Sequence, residues 1–291
     1  MNIKDLRYLM AVAELEHFSQ AADQCNVSQP TLSGQIKKLE EELDVLLFER
    51  TNRRVMLTEA GQHVFRSAQR ILNEVDTIYR TAQSKQDPLM GKFRLGAFPT
   101  ISTYLFPSLV QQVKTAMPNL RLILKEEKTP ILFDDLRYGR IDAALLVLPV
   151  HDQSLSSLKL FVDDFYLAVS PGHELTKHTT IEQKDLWQHN PLLLEEWRSL
   201  RNQTSPICNS DEEQDYRATG LESLRQMVKA GIGITIVPKI AMQENETGIE
   251  YIPFVPPVPS RTIGLVWRKS SSKAVVIEFL SQAILKSSGL A

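Results

Sequence analysis

Cys25 and Cys208 are the only thiols in the chain, and a thiol pair can pass from thiolate through sulfenic acid to a disulfide. Two cysteines are too few for a disulfide framework and are not spaced as metal ligands, which fits a reducing compartment. Either one could instead be a small buried apolar residue. The six histidines (His17, His63, His151, His173, His178, His189) form no metal-ligand spacing and no His-Glu-x-x-His. Gly231-Ile232-Gly233 lies after a helical pattern and before a strand, the reverse of a dinucleotide loop, and reads as a helix C-cap. No Gly-x-Ser-x-Gly elbow occurs. These absences argue against an enzyme, a metal centre and a bound cofactor. What remains is a polar constellation, Gln29, Pro30, Thr31 and Ser33 followed by Lys37 and Lys38. Short donors and acceptors at a helix N-terminus can read base edges in a major groove, and a lysine two turns on can meet phosphate. The same pattern would also suit an ordinary solvated face.

The elements that must position these residues follow from periodicity. Ile3, Leu6, Leu9, Met10 and Ala13 predict a first helix. A second starts near Ser19 and carries Ala21, Ala22 and Cys25, with Cys25 expected in its core. After the turn Asn26-Val27, Ser28 caps a third helix with Pro30 in its first turn and Leu32, Ile36, Leu39 and Leu43 as its buried stripe. Two helices joined so tightly make a helix-turn-helix candidate. Short strands at Leu46 to Phe48 and Val55 to Leu57 flank Arg50-Thr51-Asn52-Arg53-Arg54, a basic hairpin suited to the DNA backbone or minor groove. Residues 1–60 hold seven Lys/Arg against ten Asp/Glu, and the whole chain has a net charge of −2, so any DNA footprint must be local. At 291 residues the chain is long enough for a small module and a larger one. With no secretory stretch and no membrane-length apolar run, a cytoplasmic protein without membrane contact is expected.

The succession Ala21-Ala22, Ser28-Gln29-Pro30-Thr31-Leu32-Ser33, Ile36, Leu39-Glu40, Leu47-Phe48-Glu49-Arg50 and Leu57-Thr58-Glu59-Ala60-Gly61 closely resembles the LysR-type transcriptional regulators. The resemblance implies that Gln29, Pro30, Thr31 and Ser33 sit at the groove, with Arg50 and Arg53 or Arg54 near phosphate. From Thr58 a long helix follows, in which Val64, Ala68, Ile71, Val75, Ile78 and Ala82 form an a/d seam. That seam suits a dimerisation helix presenting two reading helices to double-stranded DNA with two-fold-related half-sites. Packing against its own chain is the alternative. The resemblance adds tetramers and RNA polymerase as a partner, neither of which the heptads show.

Beyond Gly91, apolar strands alternate with amphipathic helices, which argues a parallel, doubly wound sheet. The expected fold class is α/β: a winged helix-turn-helix over 1–58, a linker helix and hinge over 59–90, and an effector domain over 91–291. This last part resembles the periplasmic-binding-protein-like effector domain of the same regulators. Its two doubly wound α/β subdomains are expected at 91–164 plus 268–291 and at 165–267. Capping boxes at Thr180 to Gln183 and Thr219 to Glu222 are expected to open helices. A ligand cleft between subdomains is the default site, with Thr100 and Thr129 pointing toward it or merely capping helices.

Across its length the chain also resembles the peroxide-sensing branch of the family. Phe98-Pro99-Thr100, Lys128-Thr129, Leu200-Arg201-x-Gln203, Cys208, Arg217 to Arg225 and Arg261 to Val266 carry that likeness. In that branch the segment before Leu200 carries a peroxidatic cysteine, and a later cysteine resolves it. Here those places are held by Trp197-Arg198-Ser199, while Cys208 matches the resolving position. A serine hydroxyl cannot follow the thiol oxidation ladder. Three explanations stand side by side. The chain is an engineered serine form held reduced-like; or it is a divergent member binding a small ligand, with Arg198 or Arg201 pairing an anion and Trp197 or Leu200 walling the cleft; or it responds through Cys208 alone by a mixed disulfide.

Overall fold

The computed structural model describes residues 1–50, 55–83, 91–189, 191–194, 220–243 and 246–289, which divide into two compact units. The N-terminal unit begins with α1 (Ile3–Leu15), whose first turn is closed by a reciprocal cap. Asn2 Oδ1 accepts from the Lys4 and Asp5 amides, and the Asp5 carboxylate accepts from the Asn2 amide at 2.8 Å. α2 (Phe18–Gln24) is capped by His17, whose Nδ1 accepts from Gln20 at 3.4 Å, so the expected start at Ser19 falls inside the helix. α3 (Gln29–Leu43) is capped by Ser28 as expected and ends at Asp44 in the left-handed conformation. Leu9, Val12, Ala21, Leu32 and Ile36 are sealed from solvent and fix the three helices together.

The wing is the antiparallel pair β1 (Phe48–Arg50) and β2 (Val55–Leu57), with Phe48 opposite Leu57. β1 starts two residues later than the apolar run suggested. The Leu47 amide is claimed by Glu40, and the Leu46 and Leu47 carbonyls accept from Thr58, so these residues form the base of the wing rather than its ladder.

α4 (Glu59–Gln83) is the long linker helix. Its predicted seam splits into two parts. Val64 and Ala68 pack into the core of their own module, with Ala68 only 1% exposed, whereas Ile71 and Ile78 are 43% and 68% exposed. The side chain of Ala82 lies outside the described residues. Periodicity located the apolar stripe but could not say which surface would cover each turn.

The C-terminal unit holds a sheet in the order β4-β3-β5-β9-β6-β7, with β8 also paired to β6. Its strands are β3 (Gly91–Ala97), β4 (Leu120–Glu126), β5 (Ala143–Leu148), β6 (Leu155–Val169), β7 (Thr235–Pro238), β8 (Glu250–Pro253) and β9 (Ser260–Arg268). Helices α5 (Pro99–Ala116) and α6 (Thr129–Arg137) make the crossovers that allow β3 to pair in parallel with β4 and β5. The described pairings of β6 and β9 are antiparallel, so the all-parallel pattern expected from alternation is interrupted there; parallel pairing is found among β3, β4 and β5 and in the bridges Leu192 to Thr235 and Ile181 to Phe254.

β6 is shared between two cores. Over 155–164 it pairs with β9, and over 165–169 with β7 and β8. Leu145, Ile263, Leu265 and Leu280 of α8 (Ala274–Ser288) belong to the first core; Leu167, Leu224 of α7 (Leu221–Lys229), Ile236 and Phe254 belong to the second. β9 therefore shares the first core, although residues 260–267 were expected in the second subdomain.

Two further expectations resolve locally. Thr180 to Gln183 opens a 3-10 turn over Gln183–His189 rather than an α-helix, because the Ile181 amide and carbonyl pair with Pro253 and Val255. α7 starts at Leu221 without a side-chain cap, and Thr219 lies outside the described residues. The Gly231 reading holds. Gly231 has φ +73°, its amide donates to Val228 at 2.9 Å, and the Ile232 amide donates to Met227 at 3.0 Å, the paired bonds of a Schellman cap.

Candidate nucleic-acid interface and effector cavity

Ser28 fixes the first turn of α3. Its Oγ accepts from the Thr31 amide at 3.4 Å and shares a hydrogen bond of 2.7 Å with the Thr31 hydroxyl. Gln29, Pro30 and Thr31 are exposed and Ser33 is half-buried, while Leu32 and Ile36 on the opposite side anchor the helix. The side chains of Gln29 and Thr31 thus stand at the positive end of the helix dipole. Lys37 is exposed and pairs weakly with Glu41 at 3.6 Å, leaving it available to another anion. Arg50 closes β1, but its side chain lies outside the described residues, as do Arg53 and Arg54.

The base of the wing is tied to both neighbouring helices. Glu40 is 8% exposed, and its Oε1 accepts from the amides of Leu47 (2.8 Å) and Phe48 (3.2 Å). On the other side Thr58 Oγ1 donates to the Leu46 carbonyl at 2.6 Å and accepts from the Gly61 amide at 2.9 Å. Gly61 permits the approach of α4, since a Cβ there would sit 2.0 Å from the Leu47 carbonyl oxygen. The Leu39-Glu40 and Thr58 to Gly61 positions were noticed in the sequence, but their work as wing anchors was not.

Cys25 is the C-cap of α2, half-buried and packed against the core of the three helices. Burial pushes its thiol up from the ordinary value, which disfavours a reactive thiolate.

In the C-terminal unit a cavity of about 300 Å³ is lined by Pro99, Thr103, Tyr104, Glu126, Gly220, Leu221 and Glu222. Neither Thr100 nor Thr129 is among the residues lining it. Thr129 opens α6, half-buried. Thr100 is 3% exposed and faces inward, where its Oγ1 accepts from Arg261 Nη1 at 2.7 Å and its carbonyl from Nη2 at 3.2 Å. Its expected role at the cleft gives way to a structural one. Arg261 is held by Asp163 through Nε at 2.9 Å and Nη2 at 2.8 Å, and it lies over the rings of Phe98 and Phe165.

A second buried cation backs the cavity. Arg225, 1% exposed, donates to the Ala241 carbonyl and to Glu246 Oε2 at 2.5 Å, where the Tyr251 hydroxyl also donates at 2.5 Å. Lys229 Nζ lies 3.0 Å from the other carboxylate oxygen. Burial pushes the Glu246 carboxyl up, but hydrogen bonds from Tyr251, Lys229 and Arg225 outweigh it and hold the group below its ordinary value. Burial and the Glu246 carboxylate push the Tyr251 hydroxyl up. With Arg225 engaged in this way, the described lining of the cavity carries two carboxylates, Glu126 and Glu222, and no cation. Ser199, Cys208, Trp197, Arg198, Leu200 and Arg201 all lie outside the described residues. Among the described residues no group of acidic, His or Cys side chains could hold a metal ion, and no helix is long and apolar enough to cross a membrane.

Comparison with known proteins covers nearly the whole length of the chain. Residues 3–62 match the family described as bacterial regulatory helix-turn-helix protein, lysR family, and residues 86–286 match the LysR substrate binding domain. The chain is 39% identical over 289 residues to the DNA-binding transcriptional dual regulator OxyR of Escherichia coli K12, covering 98% of this chain and 95% of that protein. It is 40% identical over 276 residues to a hydrogen peroxide-inducible genes activator of Haemophilus influenzae, covering 93% and 92%. Among solved structures, a full-length OxyR variant from Pseudomonas aeruginosa aligns with TM-score 0.81 at 36% identity, over 98% of this chain and 94% of that one. The chain belongs to the LysR family of bacterial transcriptional regulators and is OxyR-like from end to end.

Proposed function

We propose that this protein is a sequence-specific DNA-binding regulator of the oxidative-stress type that cannot form the peroxidatic–resolving disulfide. The observation that carries the DNA reading is the exposed N-terminal turn of α3, where Gln29, Pro30 and Thr31 project from a helix anchored by the buried Leu32 and Ile36. Lys37 and the arginines of the wing sequence supply backbone contacts, so an acidic chain can still bind a polyanion through a local patch. The exposed Ile71 and Ile78 of α4 support pairing of two copies on two-fold-related half-sites. Tetramers, contact with RNA polymerase, a cytoplasmic setting and the lack of enzymatic activity belong to the same reading.

The loss of the switch rests on one atom type. At position 199 an oxygen stands where a thiolate would have to attack peroxide, and Cys208 then has no partner thiol in its own domain. Gel-shift titration of the full chain against genomic fragments tests the regulator reading. Specific retardation that weakens steeply with salt is expected, and retention of no fragment would sink it.

The cavity favours one second reading, a small-molecule effector. Its described wall is acidic, so an anionic ligand would depend on Arg198 or Arg201 for its counter-charge. Thermal stabilisation by a metabolite tests it; a ligand at a hundredfold excess over its Kd adds about 2.7 kcal/mol.

A further inference from the structure

Glu40 has no reason to be buried on α3 if it serves only as a helical residue. It is 8% exposed, on the same face as Leu32, Ile36 and Leu39. Its Oε1 reaches past the helix end to the amides of Leu47 and Phe48, seven and eight residues on. Those amides belong to the base of the wing, immediately before Arg50. A buried carboxylate accepting two backbone N–H bonds is a strong tie, because each bond is charge-assisted and each amide would otherwise be unsatisfied. The link between α3 and β1 otherwise runs through Asp44 in the left-handed conformation and the exposed Val45 and Leu46. The buried Leu47 and Phe48 side chains seat that connection in the helix core, and Glu40 takes up the backbone amides of the same two residues.

We propose that Glu40 is the positioning residue that sets the wing against the reading helix, so that the Arg50 end of β1 meets the DNA backbone when α3 is in the groove. The proposal rests on the DNA-binding reading. It concerns the registration of two contact elements and leaves base recognition to α3 itself. Thr58 holds the opposite side of the same base, through the Leu46 carbonyl, and cannot replace the carboxylate because it supplies no acceptor to Leu47 or Phe48.

The test measures the salt dependence of specific duplex binding by the full chain, in which the slope counts the phosphates contacted. Arg50→Ala is expected to lower that slope by about one contact. Glu40→Ala and Glu40→Asp should lower it by at least as much, the first by removing the acceptor and the second by retracting it. Glu40→Gln should restore the slope of the unmodified chain, since its amide oxygen still accepts both bonds. Glu40→Gln and Glu40→Ala delete the same charge, and Glu40→Asp deletes none, so charge alone cannot produce this pattern. The Glu40→Ala/Arg50→Ala double variant should lose no more than the larger single loss, and the penalties for changing base pairs under α3 should be unchanged throughout. Should Glu40→Ala fail to fold, Glu40→Asp, which keeps the charge and most of the side chain, decides. Unchanged slopes in the folded Glu40 variants, or additive losses in the double variant, would overturn the proposal. Absence of specific binding by the unmodified chain would instead remove the DNA-binding reading, and the proposal with it.

Discussion

Arg261 on β9 and Asp163 on β6 form an ion pair sealed from solvent, with Nη2 2.8 Å and Nε 2.9 Å from the same carboxylate oxygen and exposures of 1% and 0%. Both ends are fully used. Arg261 also bonds the Thr100 hydroxyl and carbonyl at the start of α5, and the other Asp163 oxygen accepts from the Ile240 amide at 3.0 Å. The pair sits where β6 passes from one core to the other, so it ties α5, β6 and β9 at the crossover.

Removing one partner strands a buried charge. Arg261→Met is expected to destabilise the chain by about 3–5 kcal/mol, measured by urea unfolding. Arg261→Lys should recover little of that loss, because one ammonium cannot reproduce the planar fork that reaches both Asp163 and Thr100.

Glu246 predicts the acid side of the stability profile. Its carboxyl is held below the ordinary value of 4.5 in the folded chain, so its contribution is fully present above that value and is lost as the pH falls through the folded value. Glu246→Gln should flatten that part of the profile. It should also lower stability at neutral pH by about 3–5 kcal/mol, since Arg225 and Lys229 lose their carboxylate. Chemical denaturation between neutral pH and pH 3 checks both.

Gly61 leaves no room for a methyl group beside the Leu47 carbonyl. Gly61→Ala should cost about 1–3 kcal/mol in the N-terminal unit through backbone displacement. DNA affinity should fall with it, while the unfolding of the C-terminal unit should be unchanged by calorimetry.

Ile78 is the most exposed large apolar residue of α4 among those described, at 68%. Ile78→Lys should shift sedimentation from dimer toward monomer, because a paired seam would place two like charges together. Ala68→Lys should unfold the N-terminal module instead, because Ala68 is buried in its own core.

These contrasts mark what the sequence could convey. The stripe Leu32, Ile36 and Leu39, the Ser28 cap and the Gly231 stop are local patterns and were legible, and the succession from Ala21 to Gly61 was specific enough to indicate the family. The inward orientation of Thr100 is not legible locally, because its partner, Arg261, lies 161 residues away. Val64 and Ile78 share one heptad seam, yet one faces its own module and the other solvent, a difference set by tertiary packing. No local pattern pairs the buried Arg225 with Glu246, 21 residues on, since only folding brings them together. The unlike directions of β3 and β9 were hidden for the same reason: alternation of strand and helix does not encode how the return strand enters the sheet.

The most direct test of the central claim is DNA footprinting of the full chain with and without hydrogen peroxide, with Ser199→Cys as the variant that restores a thiol pair. The same footprint in both conditions is expected for the unmodified chain, and a peroxide-dependent change for Ser199→Cys. A footprint that changes with peroxide in the unmodified chain, and stops changing in Cys208→Ser, would contradict the account.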